Sequence, residues 1–339
     1  MTEINRYFIR YILIISLIFG LIISSAACNK QEKGNAAPKE SVTIGVASIA
    51  MSSPIIIAQE KGYFEENGLK VIIKPYPSGK KAIEGMLAGE NDIATTAELP
   101  IMFQSFVRND FNVIATFTHS YKDIKVIARK DRGIITPADL KGKRVGLIEK
   151  TGTHFFSYVY FTEHKIDPST LKISFYAPND LPDALKSGQV DAIVAFEPIA
   201  YQALAKIPGQ AIMLPVTKLF RNTFNLAAKK DWTGQHPETL KKVIRAVDGA
   251  IEFTKKNRDE SIILIANYLK LPKEYLLSVW DDHVFQLSLD NYILTTMEDE
   301  ARWAIKHEFV DARVVPNYLD FIYPDAMKAV KPDVVSIVK

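Results

Sequence analysis

Two passages, ninety-nine residues apart, carry glycine, aspartate and glutamate at the same spacing. In the first, Gly89 and Asp92 lead into a β-rich run that ends at Ala97, Glu98, Leu99 and Pro100. In the second, Gly188 and Asp191 lead into a run that ends at Phe196, Glu197 and Pro198. Glycine can end a helix in the left-handed conformation that other residues resist. The aspartate then opens a buried strand, and a glutamate at the start of the next helix is favoured by the helix dipole. Any helix–turn–strand–helix passage recruits these residue types once. Two copies at matched spacing imply two lobes built alike.

The surrounding pattern supplies the layers. Residues 42–48 are a β-rich run, 54–61 a short helix stopped at Gly62, 69–76 a strand with β-branched enrichment, and 79–88 a helix. Further strands are expected near Ile93, Val113, Val126, Val145, Ile173 and Ile193, with helical patterns between most of them. Alternation at this spacing argues for an α/β fold with largely parallel sheets. From Asp231 onward the pattern is almost entirely helical, with three-to-four-residue apolar spacing over 240–255, 259–270 and 289–306. Ligands of open parallel sheets bind outside the carboxyl ends of the strands, where helix N-termini converge. Two facing lobes can therefore share one cleft.

The N-terminal segment bears on compartment. Arg6 and Arg10 precede a short apolar run over 11–23, which gives way to Ser24, Ser25, Ala26, Ala27 and Cys28. A basic head, an apolar core below the roughly 20 residues of a membrane span and a small-residue exit read as a secretory signal peptide. Small residues before a cysteine resemble a bacterial lipobox, although Ser25 stands where that pattern prefers leucine. The expectation is a lipoprotein signal peptide over 1–27, lipidation at Cys28, and a polar tether over 28–40 that lacks the apolar content to pack. An exported protein held at a membrane surface through that lipid follows. Cys28 is the chain's one cysteine, so no intrachain disulfide can form. A net charge of +3 over 339 residues gives no footing for a nucleic-acid surface.

Several of these stretches resemble a known family. Gly45, Val46 and Ala47, followed by the run Ala58-Gln59-Glu60-Lys61-Gly62-Tyr63-Phe64, look like the opening of substrate-binding proteins of the nitrate/sulfonate/taurine and thiamine-precursor (pyrimidine) ABC importers. Leu87-Ala88-Gly89-Glu90-Asn91-Asp92, then Asp139-Leu140-Lys141-Gly142-Lys143-Arg144, then Thr151-Gly152-Thr153-His154 and Ala195-Phe196-Glu197-Pro198 continue the likeness. The resemblance implies a type II periplasmic-binding-protein fold: two α/β lobes joined by a two-crossing hinge, with a C-terminal helical layer on lobe one. Lobe one is placed at 41–124 and 221–339, and lobe two at 125–220. It further implies a monomer that captures a small nitrogen- or sulfur-containing solute by hinge closure and delivers it to ABC permease subunits, without a cofactor. The alternative within the family is a thiamine pyrimidine precursor. Outside it stand a sensor presenting ligand to a membrane receptor and an enzyme on the same scaffold.

Candidate ligand-binding residues come from strand ends and helix starts. Ser52 and Ser53 precede Pro54, where capping and anion contact use the same amides. Thr95 and Thr96 end a strand before Glu98. Thr151, Thr153 and His154 flank Gly152 at the matching entry in the second lobe, with histidine where several relatives carry an acid. Phe196 and Glu197 should look into the cleft by symmetry with Ala97 and Glu98. His119 and Tyr121 fall near the first crossing, Asn222 and Phe224 near the second. Nucleophile elbows, phosphate loops, dinucleotide fingerprints and H-E-x-x-H are missing from the sequence, which argues against an enzyme. The six histidines lack paired metal-ligand spacing, so no metal site is expected.

Overall fold

The computed structural model describes residues 40–337. The signal-like segment, Cys28 and the tether lie outside the described residues, Glu40 excepted. In chain order the strands are β1 (Glu40–Ala47), β2 (Leu69–Tyr76), β3 (Ile93–Thr96), β4 (Phe111–Ser120), β5 (Ile124–Arg129), β6 (Arg144–Leu147), β7 (Lys172–Phe175), β8 (Ala192–Phe196), β9 (Ala211–Met213), β10 (Asn222–Lys229) and β11 (His283–Ser288). They form two sheets, a larger one ordered β11-β4-β10-β3-β1-β2 and a smaller one ordered β7-β6-β8-β5-β9. The fold is α/β, as the alternation requires.

The sheets are mixed, not largely parallel. β1 pairs in parallel with β2 and β3, and β6 with β7 and β8. The chain then leaves the larger sheet after β4 and returns as β10, which fills the gap between β3 and β4 and runs against both. β5 likewise runs against β8 and β9. A strand that re-enters a sheet from the far end of a crossing must run antiparallel to its neighbours. That geometric need overrides the βαβ pattern of the first ninety residues.

The repeated glycine and aspartate do the same work twice. Gly89 (φ 84°) and Gly188 (φ 74°) close the helices Gly79–Ala88 and Leu181–Ser187 in the left-handed region. The Asp92 amide donates to the Thr43 carbonyl at 2.9 Å while its Oδ2 accepts from the Thr43 amide at 2.7 Å. Asp191 does the same with Arg144, at 2.8 Å and 3.0 Å. Each aspartate thereby pins the start of its strand to the neighbouring one.

The C-terminal helices cover the larger sheet. Helix Pro237–Lys256 buries Leu240, Val243, Ile244, Val247 and Ile251, a stripe of three- and four-residue steps, against helices Ser53–Glu60 and Asp325–Val330. Each such side chain contributes roughly 1.5–3 kcal/mol of burial. Helix Asn291–Lys306 packs on helix Glu98–Ser105. Among the described residues, no helix is long and apolar enough to cross a membrane.

Candidate functional site

The carboxyl ends of strands in both sheets meet at a cavity of about 30 Å3. Its wall on the larger-sheet side is Ile49, Ser78, Gly79, Lys80, Ala97, Pro100 and, from β10, Asn222 and Phe224. The crossing after β4 supplies Asp123, and the smaller-sheet side supplies Ile124, at the start of β5, with Thr151, Gly152, Thr153 and Phe196. This volume is about one water molecule's share of the liquid, so the two sides stand close together.

Three helices begin in this wall. Ser78 is the extended N-cap of helix Gly79–Ala88, and its Oγ accepts from the Lys81 amide at 3.3 Å. Gly79 is required here by close approach, since a Cβ would stand 2.8 Å from the Thr96 Cα. Ala97 is the N-cap of helix Glu98–Ser105 and has no side chain with which to cap it. Thr151 begins helix Gly152–Glu163 without capping it through its hydroxyl. That Oγ1 donates instead to the Ile148 carbonyl at 2.9 Å and lies 2.9 Å from the Thr153 Oγ1. Helix starts from both sides thus border one small volume, Gly79–Lys80 on one side and Gly152–Thr153 on the other, while Pro100, the residue of helix Glu98–Ser105 in the wall, has no N–H to give. Such an arrangement favours negative charge.

The wall carries one charge of each sign. Lys80 is its one cation; the Nζ donates across the cleft to the Glu149 carbonyl at 3.1 Å, and burial lowers the ammonium pKa. Asp123 is its one carboxylate, and both oxygens are engaged. Oδ2 accepts from Asn222 Nδ2 at 3.0 Å, and Oδ1 lies 3.4 Å from His283 Nε2. Asn222 Oδ1 is buried and without a hydrogen-bond partner among the described residues.

Five residues singled out from the sequence, Thr151, Thr153, Phe196, Asn222 and Phe224, come together in this wall. Neither glutamate is part of it. Glu98 is fully buried behind Ala97, where its Oε2 accepts from the Thr223 amide at 2.9 Å and the Thr223 hydroxyl at 2.5 Å. Burial pushes its carboxyl pKa up to about 7 against these bonds. Burial also pushes Glu197 up to about 7, with Lys125 opposing; its Oε2 accepts from the Tyr201 amide at 3.2 Å.

The remaining candidates serve elsewhere. Ser53 Oγ donates to the Ala50 carbonyl, while the Ser52 Oγ is buried and unpartnered among the described residues. Thr95 Oγ1 accepts from the Ala47 amide, tying β3 to β1, and Thr96 Oγ1 donates to the Ala97 carbonyl. His119 is half-buried beside the exposed Tyr121 on β4 and the turn after it, and burial lowers its pKa to about 4. His154 turns away from the cavity into a ring cluster, 4.9 Å from Trp303, 4.9 Å from Phe175 and 4.7 Å from Phe309 between centroids. Burial lowers its pKa to about 4 as well. Among the described residues no group of three or more His, Cys, Asp or Glu side chains could hold a metal ion.

Sequence reasoning missed Ser78, Gly79, Lys80 and Asp123. A serine and glycine directly before a helical run are an N-cap signal, which could have placed the first two. Nothing in the sequence distinguishes Lys80 or Asp123 from ordinary surface charges.

Comparison with known proteins aligns with the geometry. The NMT1/THI5-like family model matches residues 50–261. A Bacillus subtilis protein named for binding aliphatic sulfonates is 24% identical over 234 residues, covering 67% of this chain and 70% of its own. The crystal structure of the periplasmic aliphatic sulphonate binding protein SsuA from Escherichia coli superposes with a TM-score of 0.73 at 19% identity, over 86% of this chain and 98% of that one. The periplasmic nitrate-binding protein NrtA from Synechocystis PCC 6803 does so at 0.67 and 15%, over 87% and 91%. The fold is therefore that of the periplasmic binding proteins.

Proposed function

The chain belongs to the NMT1/THI5-like family, and on that premise we propose that it is an exported solute-binding protein of an ABC importer that captures a small anion of the sulfonate or nitrate class. The observation that carries this reading is the meeting of two helix N-termini, Gly79–Lys80 from one side and Gly152–Thr153 from the other, on one cavity whose single cation is Lys80. Relatives and neighbours named for sulfonate and nitrate binding support the same class.

Capture is by hinge closure. A cavity of about 30 Å3 admits such a solute only when the two sides part. The connections at 121–123 and 214–221 are the short crossings about which lobes 41–124 plus 221–339 and 125–220 would turn. Ligand contacts from both sides then favour the closed state. The protein acts as a monomer, held to the membrane by a lipid on Cys28, and hands its solute to the permease unchanged. Phe196 and Phe224 in the wall favour an aminopyrimidine as the second reading, through ring stacking.

Titration calorimetry with nitrate, methanesulfonate, taurine and an aminopyrimidine tests this. Binding of one of the first three is expected, weakened at least tenfold in Lys80→Ala. Tight aminopyrimidine binding with no anion bound would transfer the assignment to the second reading. Turnover of any bound solute would refute the transport role.

A further inference from the structure

Away from the cavity, the two sides of the cleft meet in a seam of aromatic rings. Helix Gly152–Glu163, on the smaller-sheet side, presents His154, Phe155 and Tyr158. Helix Asn291–Lys306 and the turn after it, on the larger-sheet side, present Trp303, His307 and Phe309. Trp303 is the hub. Its ring centroid lies 4.9 Å from that of His154, 5.4 Å from Phe155 and 5.3 Å from Tyr158, each edge-to-face, the arrangement that ring quadrupoles favour. Tyr158 also reaches His307 at 4.7 Å and Phe309 at 6.2 Å, and His154 reaches Phe309 at 4.7 Å. The Trp303 Nε1 is buried and without a hydrogen-bond partner among the described residues, so packing places the indole. His154 joins as a neutral ring, since the Lys150 amide faces its Nδ1 at 3.5 Å and burial lowers its pKa to about 4. None of these side chains is part of the cavity wall. When the sides part, the rings separate and their apolar surface meets water; when they close, the rings regain the same burial whatever solute lies in the cavity.

We propose that this seam is a clasp that sets the affinity for every solute by the same factor, with Tyr158 and Trp303 as positioning residues that never touch the solute. This rests on the reading of capture as hinge closure, and not on which anion is bound. Solute and clasp act on one equilibrium, and a solute is held in proportion to the share of molecules that can close around it. Weakening contacts that only the closed state makes therefore lowers affinity without changing the preference among solutes. Phe155 is a poorer probe, because it also meets Phe220 of the second crossing at 5.7 Å and can follow it as the sides turn.

Calorimetry on the exported protein with nitrate, methanesulfonate and taurine reads the clasp. Each ring pair across the seam is worth roughly two- to tenfold, and Tyr158→Ala removes those to Trp303, His307 and Phe309. Every anion that the wild type binds should weaken about tenfold or more, by factors that agree within threefold between anions. Trp303→Ala should do the same, whereas Tyr158→Phe, which keeps the ring, should stay within twofold of wild type. Tyr158 is half-buried, so its variants test the clasp even where loss of the buried Trp303 unfolds the chain. Losses that differ more than threefold between anions put these rings against the solute and overturn the proposal, as does unchanged affinity in Tyr158→Ala. Where no anion binds, the anion assignment fails and small-angle scattering decides the clasp. Without solute, Tyr158→Ala should then show a larger radius of gyration than wild type and Tyr158→Phe, and equal radii overturn it.

Discussion

Replacing Glu98 by glutamine should change how stability depends on pH, in a direction and amount that the structure sets. The carboxyl is fully buried, and burial raises its pKa from 4.5 to about 7. Below the unfolded value it is protonated in both states and contributes no pH dependence. Between 4.5 and 7 the unfolded chain has released the proton while the folded chain keeps it, so stability falls as pH rises. Above 7 both are ionised and the loss is complete. A shift of this size corresponds to about 3 kcal/mol. The wild-type profile alone will not isolate it, because burial raises Glu197 and Glu300 in the same sense, while His119 and His154, lowered to about 4, pull the other way below pH 6.5. The difference between wild type and Glu98→Gln removes those contributions. Glutamine keeps an acceptor for Thr223 but places an amide where the Glu98 Oε1 has no partner among the described residues, a pH-independent cost of roughly 1–3 kcal/mol. Urea unfolding followed by circular dichroism at half-unit steps from pH 4.5 to 8 should therefore show the variant gaining about 3 kcal/mol on wild type across the window. Two parallel curves would refute the claim that burial holds this carboxyl neutral.

Three further outcomes are expected. Gly79→Ala should destabilise by roughly 1–3 kcal/mol in thermal unfolding and weaken anion binding, because its Cβ would meet the Thr96 backbone at 2.8 Å and push a helix start off the cavity; an unchanged melting temperature would contradict that packing. Asp92→Ala and Asp191→Ala should each cost roughly 1–3 kcal/mol in urea midpoints by stranding a strand-opening amide, and a near-zero value for either would break their equivalence. Trp303 fluorescence, read in a Trp232→Phe/Trp280→Phe background, should shift when a bound anion closes the lobes, since His154, Phe155 and Tyr158 of the opposite side lie within 5.4 Å of its ring centroid. No spectral change at saturation would argue against hinge closure.

The glycine and aspartate of the repeat were readable because their roles are local: a left-handed helix end and a bond to the adjacent strand. The glutamate was not, since its partner differs between the two copies and in the first is supplied from far along the chain. In one copy it comes from Thr223 on β10, in the other from the amide of Tyr201 one helical turn on. β10 itself escaped notice for a related reason. Its sequence, NTFNLAAK, carries buried Asn222, Thr223 and Asn225, whose polarity reads as a loop until their partners across the sheet are known. Thr116 and Glu98 satisfy two of them, at 2.5 Å each. β11 is six residues between two helices, alternately buried and exposed, too short to break the helical pattern around it. The strands and helices of 69–88 fell where periodicity put them, because β-branched enrichment and a glycine stop agree there.

β4 and β10 are antiparallel neighbours, and Ser120 faces Asn222 across the pair. In topological outline they form a hairpin, and the loop of that hairpin is the entire smaller sheet with its helices. The pairing of β4 with β10 requires only that those two ends stand about 5 Å apart between Cα atoms. Closing a loop costs an entropy that grows only with the logarithm of its length. The intervening segment is thus an insertion, free to lengthen, shorten or be exchanged without re-registering the sheet that carries it. Half of each binding wall can then diverge toward a new solute while the other half stays as it is.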